Sequence, residues 1–308
     1  MLNFLGRRVD EVATCAFLLL VVVLTILRPP VFATPGGLIL ARIVLWGAGI
    51  LLAALLVASR FSTFARTALG VVLKIGPMLV AILGYVSLRL LHAEGISAWL
   101  QILPKDRLMM AADAALFGKT PYLWLAQWGI DGPLFQRVMA SFYALYPFTP
   151  LIALGWFLYK RDNAQFHLVR RTLLISLYGG YCCYILVPVA GPLSLTKLSP
   201  LFIDSTTTYK FLMDNFRYRY DCFPSLHTAN PWLLLWLCRN KLPRPVVAAG
   251  VIVCAVITLS TMALRLHYGV DVLAGLLWAW LMSLLGRATL PQEETFAVTG
   301  ESALELAS

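Results

Sequence analysis

The chain has 308 residues, of which 60% are hydrophobic and only 13% are charged. This hydrophobic share is well above that of ordinary soluble proteins, and the mean hydropathy is +0.78. The composition excludes a soluble enzyme and indicates an integral membrane protein. The formal net charge of +10 comes from cations clustered between apolar stretches, which is typical of topology signals rather than of nucleic-acid binding.

Eight apolar stretches approach the length needed to cross a bilayer. In chain order they lie at about 12–27, 38–58, 70–91, 134–159, 171–190, 226–239, 245–264 and 267–286. The first follows Arg7 and Arg8 and resembles a signal peptide, but we interpret it as a retained anchor. The sixth is short, so the loop before it would have to extend it. We expect an all-α, polytopic membrane bundle of about eight transmembrane helices.

Positive charge in the connections predicts the orientation of these helices. The compact clusters at 60–66, 160–171 and 239–244 all fall in one set of connections, which marks the cytoplasmic face. The connections at about 92–133 and 191–225 then lie outside. We expect an integral protein of a bacterial inner (plasma) membrane, with its active site facing the periplasm or exterior.

Four regions follow from this threading. N-terminal transmembrane helices occupy 1–91, an interfacial or re-entrant segment 92–133, a catalytic helical core 134–286, and a flexible cytoplasmic tail 287–308. The second region places tryptophans beside charged residues, which suits helices at a membrane surface.

The pair formed by His267 and Asp271 is the first candidate site. Asp271 is the only acid inside any of the eight stretches, and intramembrane acids are costly enough to call for a partner. On a helix, residues four apart share one face. The carboxylate would then hold Nδ1–H and leave Nε2 as a base or nucleophile. A purely structural pair that tethers two helices is the alternative.

A second candidate is the run Pro224-Ser225-Leu226-His227 at the start of the sixth stretch. Free amides in the first turn of a helix favour an anion, so a phosphate is expected there. The alternative is a helix start capped by Ser225, with His227 at an interface. Under the predicted topology, His227 and His267 converge on one membrane face.

Cations near these histidines are candidate phosphate ligands. Arg219 and Arg265 are favoured because each is close in sequence to one histidine, and Arg217 follows. The six cysteines form neither a CxxC pair nor a Cys/His ligand spacing. A single intramembrane acid also cannot hold the divalent ions of a CDP-alcohol phosphotransferase. We therefore expect neither a metal nor a cofactor.

Together these motifs resemble the type 2 phosphatidic acid phosphatase superfamily, whose motifs read Pro-Ser-Gly-His and Ser-Arg-x5-His-x3-Asp. Here Pro224-Ser225-Leu226-His227 is followed by His267-Tyr268-Gly269-Val270-Asp271. Leu226 in place of Gly, and the upstream run 113–121, are more similar to the inositol phosphorylceramide synthase branch. The resemblance covers about 92–286.

The resemblance implies a role for each matching residue. His267 would attack phosphorus, Asp271 would orient its imidazole, His227 would protonate the leaving alkoxide, and Ser225 would contribute to the phosphate cradle. Three cations of the family's motifs have no counterpart here. The motif Lys-x6-Arg-Pro is missing, and Thr261 follows Ser260 where the family has Arg. We expect Arg265, and then Arg219 or Arg217, to neutralise the phosphate instead.

The sequence thus predicts a metal-independent lipid head-group phosphotransferase, similar to inositol phosphorylceramide synthase, that forms a phosphohistidine intermediate at the extracytoplasmic face. A lipid phosphate or pyrophosphate phosphatase of the same superfamily is the alternative if water is the acceptor. A lipid transporter or flippase, in which the His–Asp pair relays protons, is the non-enzymatic alternative. The expected substrate is a membrane lipid: a phospholipid, a ceramide or an isoprenyl phosphate.

Overall fold

The structure is a computed structural model that describes residues 12–17, 19, 54, 57–90, 93–195 and 217–288. Every extended regular element among these residues is a helix, and one parallel β-bridge joins Val189 to Asp221. The predicted all-α fold is confirmed for this part of the chain. Most of the predicted stretches 12–27 and 38–58 and the tail after residue 288 lie outside the described residues.

The longer helices alternate with short ones. In chain order they are α1 (Thr63–Leu90), α2 (Ala93–Trp99), α3 (Asp106–Phe117), α4 (Pro121–Gln127), α5 (Pro133–Leu145), α6 (Thr149–Lys160), α7 (Asn163–Leu186), α8 (Pro192–Leu195), α9 (Leu226–Cys238), α10 (Arg244–Ala263) and α11 (Gly269–Ala288). Single 3-10 turns follow α5 and α9.

Local sequence signals explain several of these boundaries. Pro121 and Pro133 occupy the first positions of α4 and α5, where the missing N–H is not needed. The Asp162 side chain accepts a hydrogen bond from the N–H of Gln165 (3.0 Å) and caps α7. Gly118 ends α3 in the left-handed region, at φ 76°.

Four stretches of the described chain are long and apolar enough to cross a membrane: Thr63–Ile82, Pro133–Lys160, Arg244–Ala263 and Gly269–Ala288. The predicted count of eight spans is not confirmed. Helix α9 has only 13 residues, or about 20 Å of rise, which is shorter than the hydrocarbon core of a bilayer. Helix α7 carries the buried Arg170 and Arg171, which lower its apolar character.

The core forms around α7, which contacts α1, α6, α9 and α11. More than half of its residues are buried. Small residues bring the helices close together: a Cβ on Gly179 would come within 2.8 Å of the Trp278 ring. Such close approach at small residues is a common way for membrane helices to pack.

The segment 92–133 forms α2 to α4 and has two different faces. Trp99 and Trp128 are exposed, whereas Asp106 and Asp113 are buried. Helix α3 packs against α11. The segment is therefore part of the structure that surrounds the start of α11, and its position at the membrane surface stays a prediction.

Candidate active site

The site lies where α9 and α11 begin side by side. Ser225 is the N-cap of α9, and its hydroxyl accepts a hydrogen bond from the N–H of Thr228 (3.4 Å). The N–H of Ser225 donates to the carbonyl of Asp271 in the first turn of α11 (3.1 Å). A Cβ on Gly275 would come within 2.5 Å of the Ser225 carbonyl oxygen. Backbone contacts thus hold the two helix starts together.

This arrangement places the two imidazoles next to each other. The ring centroids of His227 and His267 are 5.6 Å apart, and the ring planes meet at 56°. His267 is buried, with 2% of its surface exposed. Catalytic groups act over hydrogen-bond distances of about 2.6–3.2 Å. The observed separation therefore allows both rings to contact a single phosphoryl group.

The backbone, rather than a carboxylate, is the nearest partner of His267 Nδ1. The carbonyl oxygen of Cys222 is 3.0 Å from Nδ1, whereas Asp271 Oδ2 is 3.7 Å away. A carbonyl only accepts, so Nδ1 carries the hydrogen and the lone pair lies on Nε2. The Cys222 carbonyl is thus the closer partner of Nδ1, with the Asp271 carboxylate within ion-pair distance, and the roles predicted for Asp271 and Nε2 stay predictions. His267 also precedes the helix instead of lying on it.

Asp271 contributes charge beside the imidazole. It is fully buried, and its Oδ2 accepts a hydrogen bond from the N–H of Tyr268 (2.9 Å). Its other oxygen, Oδ1, has no hydrogen-bond partner among the described residues. A buried carboxylate with an unsatisfied oxygen stabilises positive charge nearby. Asp271 is therefore placed to stabilise an imidazolium, or an N-phosphorylated imidazole, at His267.

Two tyrosines enclose the His227 ring. The Tyr143 ring stacks on it at 4.4 Å between centroids, and the Tyr146 ring lies at 4.3 Å. The Tyr146 hydroxyl accepts a hydrogen bond from Asn230 Nδ2 (3.0 Å). No described residue pairs with His227 Nδ1. The ring is thus held by packing rather than by a hydrogen bond to Nδ1.

His227 opens onto a cavity of about 410 Å³ between α1, the α5–α6 connection, α7 and α9. Apart from His227 and Arg217, its wall is apolar or aromatic, with tyrosines at 85, 143, 146, 181 and 184. The volume lies within the range of about 300–1,000 Å³ typical of ligand pockets. An apolar chamber with one cation and one imidazole suits a lipid that carries a phosphate.

The three predicted phosphate cations occupy different places. Arg217 is partly buried and lines the cavity beside His227. Arg219 is exposed and lies over the Tyr220 ring at 5.5 Å. Arg265 is partly buried and lies over the Tyr122 ring at 5.3 Å. Of the three, Arg217 alone lines this cavity; which of them binds a phosphate stays a prediction.

Arg217 is anchored by a buried carboxylate. Its Nη2 lies 3.1 Å from Asp221 Oδ1 and also donates to the carbonyl of Ala190 (3.3 Å). The Tyr85 hydroxyl donates to the other Asp221 oxygen. Burial alone would raise the pKa of Asp221, but the Arg217 guanidinium and the Tyr85 hydroxyl hold it below its ordinary value. The sequence analysis missed Asp221 and Tyr85.

Cys222, His267 and Asp271 each place one potential metal-ligating atom within 4.8 Å of the others. The Cys222 thiol, however, donates to the carbonyl of Leu266 (3.1 Å). Burial raises the pKa of this thiol well above its ordinary value, and the nearby Asp221 charge adds to the rise. Since a thiolate is the metal-binding form, this donor set fits a metal poorly and fits an internal hydrogen-bond network well.

Asp106 and Asp113 also lie near the site, although the sequence indicated no role for Asp106 and showed Asp113 only within the run 113–121. Both are buried carboxylates of α3: Asp113 accepts hydrogen bonds from the N–H groups of Gly269 and Val270, and Asp106 accepts from the N–H of Gly191 and from the Tyr268 hydroxyl. Neither is near the histidines in sequence, so no local pattern could have indicated the contact.

Comparison with known proteins gives one match. A family model described as the PAP2 superfamily matches residues 107–285, which is more than half of the chain. The match contains both histidines, Asp271 and Asp113. Neither the curated proteins nor the solved structures contain a match to this chain.

Proposed function

Since this chain belongs to the PAP2 superfamily, we propose that it is a membrane enzyme that transfers the phosphoryl-linked head group of a lipid through a phosphohistidine at His267. The observation that carries this proposal is the pair of imidazoles 5.6 Å apart, of which the His227 ring lines an apolar cavity. We place the site at the extracytoplasmic face of the membrane, as the loop charges predict.

The first half of the reaction forms the intermediate. Nε2 of His267 attacks phosphorus, and the bond between phosphorus and the lipid oxygen breaks as the new P–N bond forms. Protonated His227 donates its proton to the departing alkoxide. Arg217 binds the phosphoryl oxygens, and Asp271 stabilises the positive charge that develops on the imidazole.

The second half reverses these roles. His227, now neutral, takes the proton of an acceptor hydroxyl, whose oxygen attacks phosphorus. The P–N bond breaks, and His267 is regenerated. Every step uses side chains of this chain, so the proposed reaction needs no metal ion.

An alcohol acceptor is favoured over water by the cavity. Both the departing and the attacking oxygen must lie beside His227, and the wall there is mostly apolar or aromatic. A chamber of this kind accommodates a lipid alcohol in each half of the reaction. This supports a lipid head-group phosphotransferase, similar to the inositol phosphorylceramide synthase branch, over a lipid phosphatase.

A turnover assay with purified protein tests the proposal. Phosphatidic acid, phosphatidylinositol with ceramide, and an isoprenyl pyrophosphate are offered separately, and the products are identified by mass spectrometry. We expect transfer to the lipid alcohol, and its loss in His267→Ala. His167→Ala, which removes a histidine at the far end of α7, is the matched control. Release of free phosphate alone would favour a phosphatase, and lipid movement without cleavage would favour a transporter.

A further inference from the structure

Asp113 of α3 binds the first backbone groups of α11. Its Oδ2 accepts a hydrogen bond from the N–H of Gly269 (3.0 Å), and its Oδ1 accepts one from the N–H of Val270 (2.8 Å). Asp113 is completely buried. Because the first N–H groups of a helix have no intrahelical partner and carry partial positive charge, a carboxylate is well suited to this position.

Asp106 lies two turns earlier on the same face of α3, and it binds both Tyr268 and the segment before α8. Its Oδ1 accepts hydrogen bonds from the N–H of Gly191 (3.0 Å) and from the hydroxyl of Tyr268 (3.2 Å). Tyr268 directly follows His267 in the chain. One side chain of α3 thus joins the residue next to His267 to the loop before α8.

Close packing makes these contacts rigid. A Cβ on Gly269 would lie 2.5 Å from Phe117 Cε2 and 2.8 Å from Pro121 Cγ. Gly191 has φ 84°, and a Cβ there would collide with the carbonyl of Leu266. Phe117 and Pro121 therefore confine the start of α11, and the Leu266 carbonyl confines Gly191, so the backbone on both sides of His267 is closely packed.

The contacts also exclude one possible phosphate site. The N–H groups of Gly269 and Val270 are occupied by Asp113, so they are not available to a phosphate. An anion at the start of α11 would also lie close to the Asp113 carboxylate. Phosphate recognition is therefore left to Arg217 and the start of α9.

We infer that Asp113 and Asp106 are positioning residues, which hold the backbone around His267 so that its Nε2 points at phosphorus. The inference rests on the proposed function, in which His267 is the nucleophile. Neither carboxylate bonds to the imidazole or to the cavity lining, and each acts through backbone groups or through Tyr268. Their loss should therefore slow the formation of the phosphoenzyme while leaving lipid binding unchanged.

Asp113→Asn tests the inference because it keeps the size of the side chain. The amide retains one acceptor, but its NH2 group replaces the second acceptor and faces an N–H donor. We expect kcat to fall about 10- to 100-fold, the usual cost of losing a group that orients a catalytic ligand, with KM unchanged. Asp131→Asn, a partly exposed aspartate of the same segment, is the matched control and should keep the kcat of the wild type.

The rate of phosphoenzyme formation separates positioning from stability. In single-turnover measurements, a merely structural role lowers the amplitude of labelling but leaves the rate per labelled molecule unchanged. A positioning role lowers that rate. If Asp113→Asn does not fold, the same rate measurement on Tyr268→Phe tests the positioning role. This substitution removes only the hydroxyl that donates a hydrogen bond to Asp106.

The outcomes distinguish this inference from the proposed function. If His267→Ala is inactive and Asp113→Asn forms phosphoenzyme at the wild-type rate, the positioning role is wrong and the function stands. A rise in KM without a fall in kcat would also overturn the positioning role. If His267→Ala retains turnover, the proposed function itself is wrong.

Discussion

Replacing Asp271 by asparagine should reduce catalysis by a limited and calculable amount. Asparagine keeps a carbonyl oxygen that can accept from the N–H of Tyr268, so the first turn of α11 is preserved. The substitution removes the negative charge 3.7 Å from His267 Nδ1. It leaves the hydrogen bond between Nδ1 and the Cys222 carbonyl in place.

The expected magnitude follows from this geometry. Two unit charges at that separation interact by about 4 kcal/mol at an effective dielectric constant of about 20, and by about 1 kcal/mol in water. At about 1.4 kcal/mol per tenfold in rate, kcat should fall between about 10-fold and about 10³-fold. A triad whose carboxylate fixes the imidazole tautomer loses about 10⁴ in the same substitution. Here the Cys222 carbonyl fixes the tautomer, so the loss should be smaller.

The assay measures kcat for lipid transfer with purified Asp271→Asn, wild type and His267→Ala in the same detergent micelles. Asp131→Asn controls for loss of an aspartate as such. An Asp271→Asn variant as inactive as His267→Ala would show that the Cys222 carbonyl does not maintain the tautomer. An unchanged kcat would show that the Asp271 charge plays no part in the reaction.

Three further substitutions test other parts of the site. His227→Phe keeps a ring between the two tyrosines but cannot donate a proton, so turnover of an alkyl phosphoester should fall roughly 10²- to 10⁴-fold. Turnover of a p-nitrophenyl phosphoester, whose leaving group needs no proton, should fall far less. An equal fall for both substrates would contradict the role of general acid. Arg217→Gln should raise KM about tenfold, the value of one charge-assisted hydrogen bond. Without Arg217, burial should raise the pKa of Asp221 above its value in the unfolded chain, so protonation should relieve the buried charge as the pH falls from about 7 to about 4. The deficit in melting temperature of the variant relative to the wild type should therefore shrink over this range; a constant deficit would contradict the pairing. Gly191→Ala should destabilise the protein by about 1–3 kcal/mol. Gly118→Ala should destabilise it less, because Gly118 has a similar positive φ but open space around it. Equal melting temperatures for the two variants would show that the contact with the Leu266 carbonyl relaxes.

The helix starts that carry the histidines could be predicted from sequence because their signals are local. A proline and a serine before His227 predict a helix N-terminus, and the spacing from His267 to Asp271 predicts neighbouring side chains. The loop charges then predicted that both histidine segments face the same side, and the structure brings the two rings together. Their catalytic roles stay a prediction.

The surroundings of the two rings could not be predicted in this way. The partner of His267 Nδ1 is a backbone carbonyl, and backbone acceptors have no sequence signature. Tyr143 and Tyr146 pack on His227 although they precede it by more than 80 residues. They belong to an apolar stretch whose sequence indicates only a membrane span. The contacts of Asp113 join segments separated by more than 150 residues. Long-range packing decides all three.

The predicted number of spans is not confirmed, and the order of the cations by sequence proximity does not match their distance from the cavity, for related physical reasons. Hydropathy measures how apolar a segment is, but α7 and α9 lie largely inside the bundle, and α9 is too short to cross a bilayer alone. Proximity in sequence favoured Arg265 and Arg219. Arg217 reaches the cavity because its loop folds back through the bridge between Val189 and Asp221.

The most direct test of the central claim is to trap the covalent intermediate. Purified protein is incubated with a lipid substrate labelled with ³²P in the head-group phosphate, quenched in alkali and digested, and the labelled peptide is identified. We predict an acid-labile, alkali-stable label on the peptide containing His267, which disappears in His267→Ala and persists in His167→Ala. Lipid turnover without any labelled histidine, or a label that remains in His267→Ala, would contradict the account.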